Sequence, residues 1–166
     1  MIPSDLDLLR QVVLQKKELK KQLTGLKKIN NRQLDDKFHS GHQKAFRNRD
    51  CLSCANCCKT TSPIFRDVDI KRISKSLGIK SVNFVANYLK IDEDNDYVLK
   101  SSPCAFLSED NTCSIYEVRP LACREYPHTD RKNMYQILNL TAINSTICPA
   151  VASIVSKINS STEKNS

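Results

Sequence analysis

The segment Cys51-Leu52-Ser53-Cys54-Ala55-Asn56-Cys57-Cys58 places four thiols in a single short run. Two-residue gaps let a tight turn aim successive sulfurs at one centre, a requirement shared by zinc knuckles and iron–sulfur loops. Adjacent Cys57 and Cys58 are expected to project in different directions, which favours two neighbouring sites or a division between ligand and support. Downstream lie Cys104, Cys113, Cys123 and, before Pro149, Cys148, so the chain carries eight cysteines, all ligand candidates. Thiolate donors select soft ions and disfavour magnesium or calcium. Spacing does not choose between Zn2+ and a 4Fe-4S iron–sulfur cluster. Cysteines at i, i+3 and i+6 with a distant Cys-Pro resemble ferredoxin ligand grammar, although a bacterial ferredoxin sets its Cys-Pro three residues after the third cysteine. The C-x-x-x-C-x-x-C spacing of radical-SAM enzymes is not met.

An even cysteine count in a secreted chain would instead signal disulfides. The opening Met1-Ile2-Pro3-Ser4-Asp5-Leu6-Asp7, followed by a Lys-rich stretch, lacks the apolar core of a secretory signal. No apolar run approaches the roughly 18 residues that a membrane span needs. A cytoplasmic setting, which keeps thiols reduced and available to metal, is therefore expected. With 166 residues, 6% aromatics and no Trp, the chain has the length of one domain and a modest core that a metal would staple.

The formal charge of +8 is uneven: residues 1–50 carry 12 Lys or Arg against 6 Asp or Glu, and the rest 14 against 12. Ser4 with Asp7 makes a capping box for a helix running to about Leu23, and Leu9, Val12, Leu19, Leu23 and Leu26 form its apolar seam. That helix is expected to lie against its own domain with a solvated lysine face open to a protein partner. No nucleic-acid motif accompanies the charge, so nucleic acid is not expected as the ligand. Residues 27–50, including His39, Gly41 and His42, read as a polar linker, with the histidines as bystanders to the metal.

Beyond the cysteines, Asp67 is the expected cap of a helix bearing Ile70, Ile73 and Leu77, closed by Gly78. Ser81 opens another, with Val82, Val85, Tyr88 and Leu89 inward. The acidic run 91–96 lacks the glycine and terminal glutamate of a calcium loop and reads as a turn before a strand at 97–100. Val151, Ile154, Val155 and Ile158 give one helical face behind Pro149. The expected organisation is a basic helical arm and linker over 1–49, a cysteine-cluster domain over 50–158 and a disordered tail over 159–166. The expected fold is mainly α, a small metal-centred domain with minor β segments and an N-terminal amphipathic helix.

Taken together, Cys51-x-x-Cys54-x-x-Cys57-Cys58, Pro103-Cys104-Ala105-Phe106-Leu107 and Cys113-Ser114-Ile115-Tyr116-Glu117-Val118-Arg119-Pro120-Leu121-Ala122-Cys123-Arg124-Glu125-Tyr126-Pro127 form an ordered set. The set resembles the YkgJ-type cysteine-cluster family, whose members are described as zinc- or iron-chelating and whose cysteine region is similar to that of flagellin lysine N-methylases. The resemblance spans about residues 50–150 and implies the cysteines from Cys51 to Cys123 as ligands, with Cys148-Pro149 matching a later Cys-Pro. This chain has Ala150 where the family often continues with Gly. The methylase likeness implies redox or SAM-dependent chemistry. With three glycines in all, a Rossmann-type SAM loop is not expected. Arg119 and Arg124 are expected beside the cofactor, because a guanidinium neutralises clustered thiolates and donates to their sulfurs. The competing expectation is a non-enzymatic, zinc-stabilised interaction module using the basic N-terminal helix.

Overall fold

The computed structural model describes residues 3–47 and 49–163. The chain is mainly α. In order, the helices are α1 (Pro3–Leu14), α2 (Lys16–Gly25), α3 (Asn31–Phe46), α4 (Cys51–Cys54), α5 (Asn56–Thr60), α6 (Asp67–Ser76), α7 (Ser81–Tyr88), α8 (Leu121–Glu125), α9 (Leu138–Ser145) and α10 (Pro149–Glu163). A hairpin of β1 (Leu89–Ile91) and β2 (Tyr97–Leu99) follows α7, with Leu89 opposite Leu99. Two compact units form: residues 1–51 with 127–166, and residues 52–126.

The first unit buries the predicted leucine seam. Leu9, Val12, Leu19, Leu23 and Leu26 enter one core with Leu34, Phe38, Leu138 and the apolar face of α10, namely Val151, Ile154, Val155 and Ile158. The seam is consumed inside the unit, as expected, while Lys16, Lys17, Lys20 and Lys21 stay exposed. The side chain of Ser4 lies outside the described residues, and with it the capping box. α10 continues into the first residues of the 159–166 segment, and 164–166 also lie outside the described residues.

Residues 27–50 depart from the linker reading, because α3 occupies their centre. Asn30 accepts the Arg32 amide at 3.0 Å as its N-cap, and Leu34 and Phe38 are fully buried. The apolar stripe is only one residue wide, which hides it in a polar sequence. Gly41 continues that stripe: a Cβ there would stand 2.9 Å from Cγ2 of Ile154, so the missing side chain permits close helix approach. Polar groups on α3 hold the segment after Pro127. Asp35 accepts the amides of Asn133 and Met134, both at 2.8 Å. His39 Nε2 donates to the Arg131 carbonyl at 2.9 Å, and His42 Nδ1 pairs with Thr129 Oγ1 at 2.8 Å.

The second unit packs α6, α7 and the hairpin around Phe65, Ile70, Ile73, Phe84, Leu89, Leu99, Phe106 and Ile115. Gly78 takes φ +68 and closes α6 as expected, with the Ile79 amide donating to the Ser74 carbonyl at 3.0 Å. In α7 the inward residue is Phe84, while Val82 is 69% exposed, contrary to the sequence reading. Phe84 sits between Phe65, Tyr88 and Phe106, so one large ring decides which face turns inward. Between the strands, Asp92 accepts the amides of Asp94 and Asp96 at 3.1 and 2.9 Å, making the acidic run a side-chain-capped turn.

Candidate metal centre

Three stretches of the second unit present six of the cysteines, and Cys51 and Cys148 belong to the first unit. In the first stretch, Ala55 is buried and left-handed (φ 48°, ψ 16°) between α4 and α5, a backbone state costly for a residue with a Cβ. The turn divides the run, with Cys51 and Cys54 on α4 and Cys57 and Cys58 on α5. The Cys57 and Cys58 sulfurs lie 4.0 Å apart, rather than diverging as adjacency suggests. Two thiolates on one tetrahedral ion, at metal–sulfur distances of about 2.3 Å, stand about 3.8 Å from each other. The pair therefore fits a shared ion.

The second stretch is tied directly to the first, since the Cys104 amide donates to the Cys58 carbonyl at 2.9 Å. From there the chain turns back on itself. Leu107 donates to the Cys104 carbonyl at 3.0 Å and bridges antiparallel to Cys113, and Asn111 takes a positive φ of 66° in the turn. Cys104 and Cys113 both rest against the aromatic core of the unit. The backbone N–H groups of Phe106 and Leu107 favour the ionised form of Cys104, and that of Ile115 the ionised form of Cys113, but burial outweighs them at both thiols.

The third stretch is α8, which carries Cys123. Asp69 of α6 governs its start, and the sequence reading missed this residue. Arg66 holds the N-cap position of α6, one residue before the expected Asp67, and the Asp69 carboxylate reaches back to the Arg66 amide at 3.2 Å. Its other oxygen accepts the Leu121 amide at 3.3 Å and Arg72 Nη2 at 2.6 Å. Arg72 in turn donates to the carbonyls of Val118 and Arg119 at 3.3 and 2.9 Å. Burial pushes the Asp69 carboxyl up, but hydrogen bonds from Arg66 and Arg72 outweigh it and leave it below its ordinary 3.8. The i, i+3 run Arg66, Asp69, Arg72 is the one sequence signal that points to the arrangement.

Electrostatics tie four sulfurs into one group. The hydrogen bond from Cys57 draws the Cys58 thiol down to about 7, helped by Lys59 against the cost of burial. Burial pushes Cys123 up to about 12, and charge on Cys58, Cys104 and Cys113 adds to the rise. Burial also raises Cys104, with Cys113 and Cys58 contributing, and raises Cys113, with Cys58 contributing. Arg119 opposes the rise at Cys113 and Cys123. Its guanidinium stacks 3.8 Å from the Tyr116 ring centroid and donates to the Tyr116 carbonyl at 2.6 Å. Arg119 is thus the guanidinium whose charge bears on these thiols, while Arg124 is exposed on α8.

Cys54 is half-buried, whereas the first unit holds Cys51, which is exposed, and Cys148, just before α10 and against that unit's core. Among the described residues no three Cys, His, Asp or Glu side chains already converge on one point, so an ion would draw the sulfurs further together. The donor chemistry nonetheless fits a thiophilic metal: thiols from three stretches of one unit, two of them 4.0 Å apart, and the Arg119 charge bearing on Cys113 and Cys123.

These features define a small, mainly helical cysteine-cluster domain. Residues 50–148 match the family CxxCxxCC, described as a putative zinc- or iron-chelating domain, and the chain belongs to that family. The matched span includes all eight cysteines. No curated protein and no solved structure gives a significant match. Among the described residues no helix is long and apolar enough to cross a membrane.

Proposed function

We propose that the chain binds zinc or iron through a thiolate centre built on Cys58, Cys104, Cys113 and Cys123, with Cys57 beside Cys58. One observation carries this: separate stretches of the second unit are tied together at their cysteines, the Cys104 amide donating to the Cys58 carbonyl at 2.9 Å and Leu107 bridging antiparallel to Cys113. Crowded thiols that resist ionisation together become stable thiolates when a dication supplies the missing positive charge. Cys54 is a further donor in the same unit, and Cys51 and Cys148 are donor candidates of the first unit.

The four thiolates complete one tetrahedral ion, with Cys57 as the hydrogen-bond partner of Cys58 at 4.0 Å. Zinc or a single iron is the first reading and a 4Fe-4S cluster, which the same ligand count allows, the second. A reducing compartment such as the cytoplasm suits this chemistry. SAM-dependent or redox turnover is supported by the family resemblance alone.

A non-enzymatic role has its own support in the exposed lysines of α2, whose leucine seam is already buried. In that role the metal stabilises a module whose basic face meets an acidic protein.

Elemental analysis of protein purified without oxygen tests the centre. Stoichiometric zinc or iron, lost in Cys58→Ser and Cys123→Ser, is the expected result. A brown sample absorbing near 400 nm assigns a cluster, and a colourless zinc protein assigns a mononuclear site. Metal content unaffected by both substitutions overturns the proposal.

A further inference from the structure

We infer that Asp69 and Arg72 of α6 are positioning residues for the metal centre, fixing the backbone on both sides of Pro120 and thereby placing Cys123. The inference rests on the thiolate-centre reading above.

Asp69 is fully buried, an expensive location for a carboxylate unless every lone pair is used. Capping α6 does not require it, because one Ser or Thr oxygen satisfies a helix N-terminus. One carboxylate oxygen does serve that cap, through the Arg66 amide and Arg66 Nε at 3.2 and 3.1 Å. The other is turned to α8, where it accepts the amide of Leu121, the first residue of that helix. The same oxygen holds Arg72 Nη2 at 2.6 Å.

Arg72 extends the hold across the chain. Its Nη2 also reaches the Arg119 carbonyl at 2.9 Å and its Nε the Val118 carbonyl at 3.3 Å. One ion pair therefore occupies the carbonyls of residues 118 and 119 and the amide of residue 121. Pro120, between them, has no N–H to offer and a φ fixed by its ring at −55°. Cys123 follows Leu121 by two residues inside the first turn of α8, so helical geometry passes this placement to its sulfur. The same hold fixes Arg119, whose charge bears on Cys113 and Cys123. Arg72 spreads these three bonds over Nε and Nη2 of a planar fork, whereas a lysine ammonium offers its three N–H groups from one point, so it keeps the charge but loses the fork.

The full-length protein loaded with cobalt(II) supplies the test, because thiolate-to-cobalt charge-transfer intensity grows with the number of thiolates bound. If Cys123 is one of four ligands of a tetrahedral ion, Cys123→Ser should lose about one quarter of that intensity. Arg72→Lys should lose a similar share, and combining the two changes should lose no more than Cys123→Ser alone. Asp69→Asn, which keeps shape and removes charge, should behave as Arg72→Lys does. After metal removal, alkylation of Cys123 in Arg72→Lys should rise several-fold relative to Cys104. Variants that melt lower yet keep full intensity and the wild-type alkylation ratio show a merely structural pair and overturn the inference. A wild-type protein without any such band overturns the metal reading, and Cys123 alkylation then decides the positioning role by itself.

Discussion

Replacing Gly41 with alanine sets helix propensity directly against packing. Alanine is favoured over glycine in a helix interior by about 1 kcal/mol, so on a free polar helix Gly41→Ala would stabilise the protein. In the structure the new Cβ meets Cγ2 of Ile154 at 2.9 Å, with Cγ1 at 3.5 Å and Cβ at 3.6 Å, and Ile154 is itself buried. Overpacking of this kind costs about 1–3 kcal/mol, so the net effect is a loss of about 0–2 kcal/mol. Ile154→Ala alone should cost about 2–5 kcal/mol through the cavity it leaves. In that background the Gly41 methyl points into the vacated space and its propensity gain returns, so Gly41→Ala should now stabilise by about 1 kcal/mol. Urea unfolding of the four proteins, followed by far-ultraviolet circular dichroism, closes the cycle, and a coupling of about 1–3 kcal/mol is expected from residues in contact. Stabilisation by Gly41→Ala in the wild type, or additivity of the two changes, would refute the close approach of α3 and α10.

Asp69 gives a pH dependence of determined sign. Its folded pKa is depressed, so its contribution is complete above the unfolded value of about 3.9 and disappears as pH falls through the lower folded value. The stability gap between wild type and Asp69→Asn should therefore be widest at pH 5 and shrink toward pH 2, in urea titrations of both proteins after metal removal. A gap independent of pH would mean an uncharged Asp69. At Ala55 the left-handed backbone predicts that Ala55→Gly is neutral or stabilising by up to about 1 kcal/mol. Ala55→Val should destabilise by more than that, since a β-branched residue resists positive φ; equal melting temperatures for the two variants would remove the strain.

Much of this fold is legible in the residues because its signals are local. The leucine seam of α1 and α2, the stripe of α10 behind Pro149, the Gly78 stop and the turn at 91–96 each depend on spacing or on one residue's backbone freedom. α3 escapes notice because Leu34 and Phe38 make a stripe one residue wide, and because Gly41 serves as a contact between helices while looking like a linker residue. Phe84 displaces Val82 from the interior through aromatic partners distant in sequence. At the centre, cysteine spacing nominates the donors, and Arg119 is the guanidinium whose charge bears on two of them. The Asp69–Arg72 pair leaves only its i, i+3 spacing in the sequence, because the carbonyls of Val118 and Arg119 are backbone acceptors, which any residue supplies. The 4.0 Å approach of Cys57 and Cys58 likewise depends on the turn at Ala55, which no spacing rule encodes.

Native mass spectrometry of the full-length protein addresses the central claim most directly, since the mass of a bound ion less the protons it displaces counts metal and thiolates together. The account predicts a zinc- or iron-bearing species whose proton loss matches thiolate ligation, and loss of that species when Cys58, Cys104, Cys113 and Cys123 are all changed to serine. A chain that carries no metal, or a quadruple variant that keeps its full complement, would contradict it.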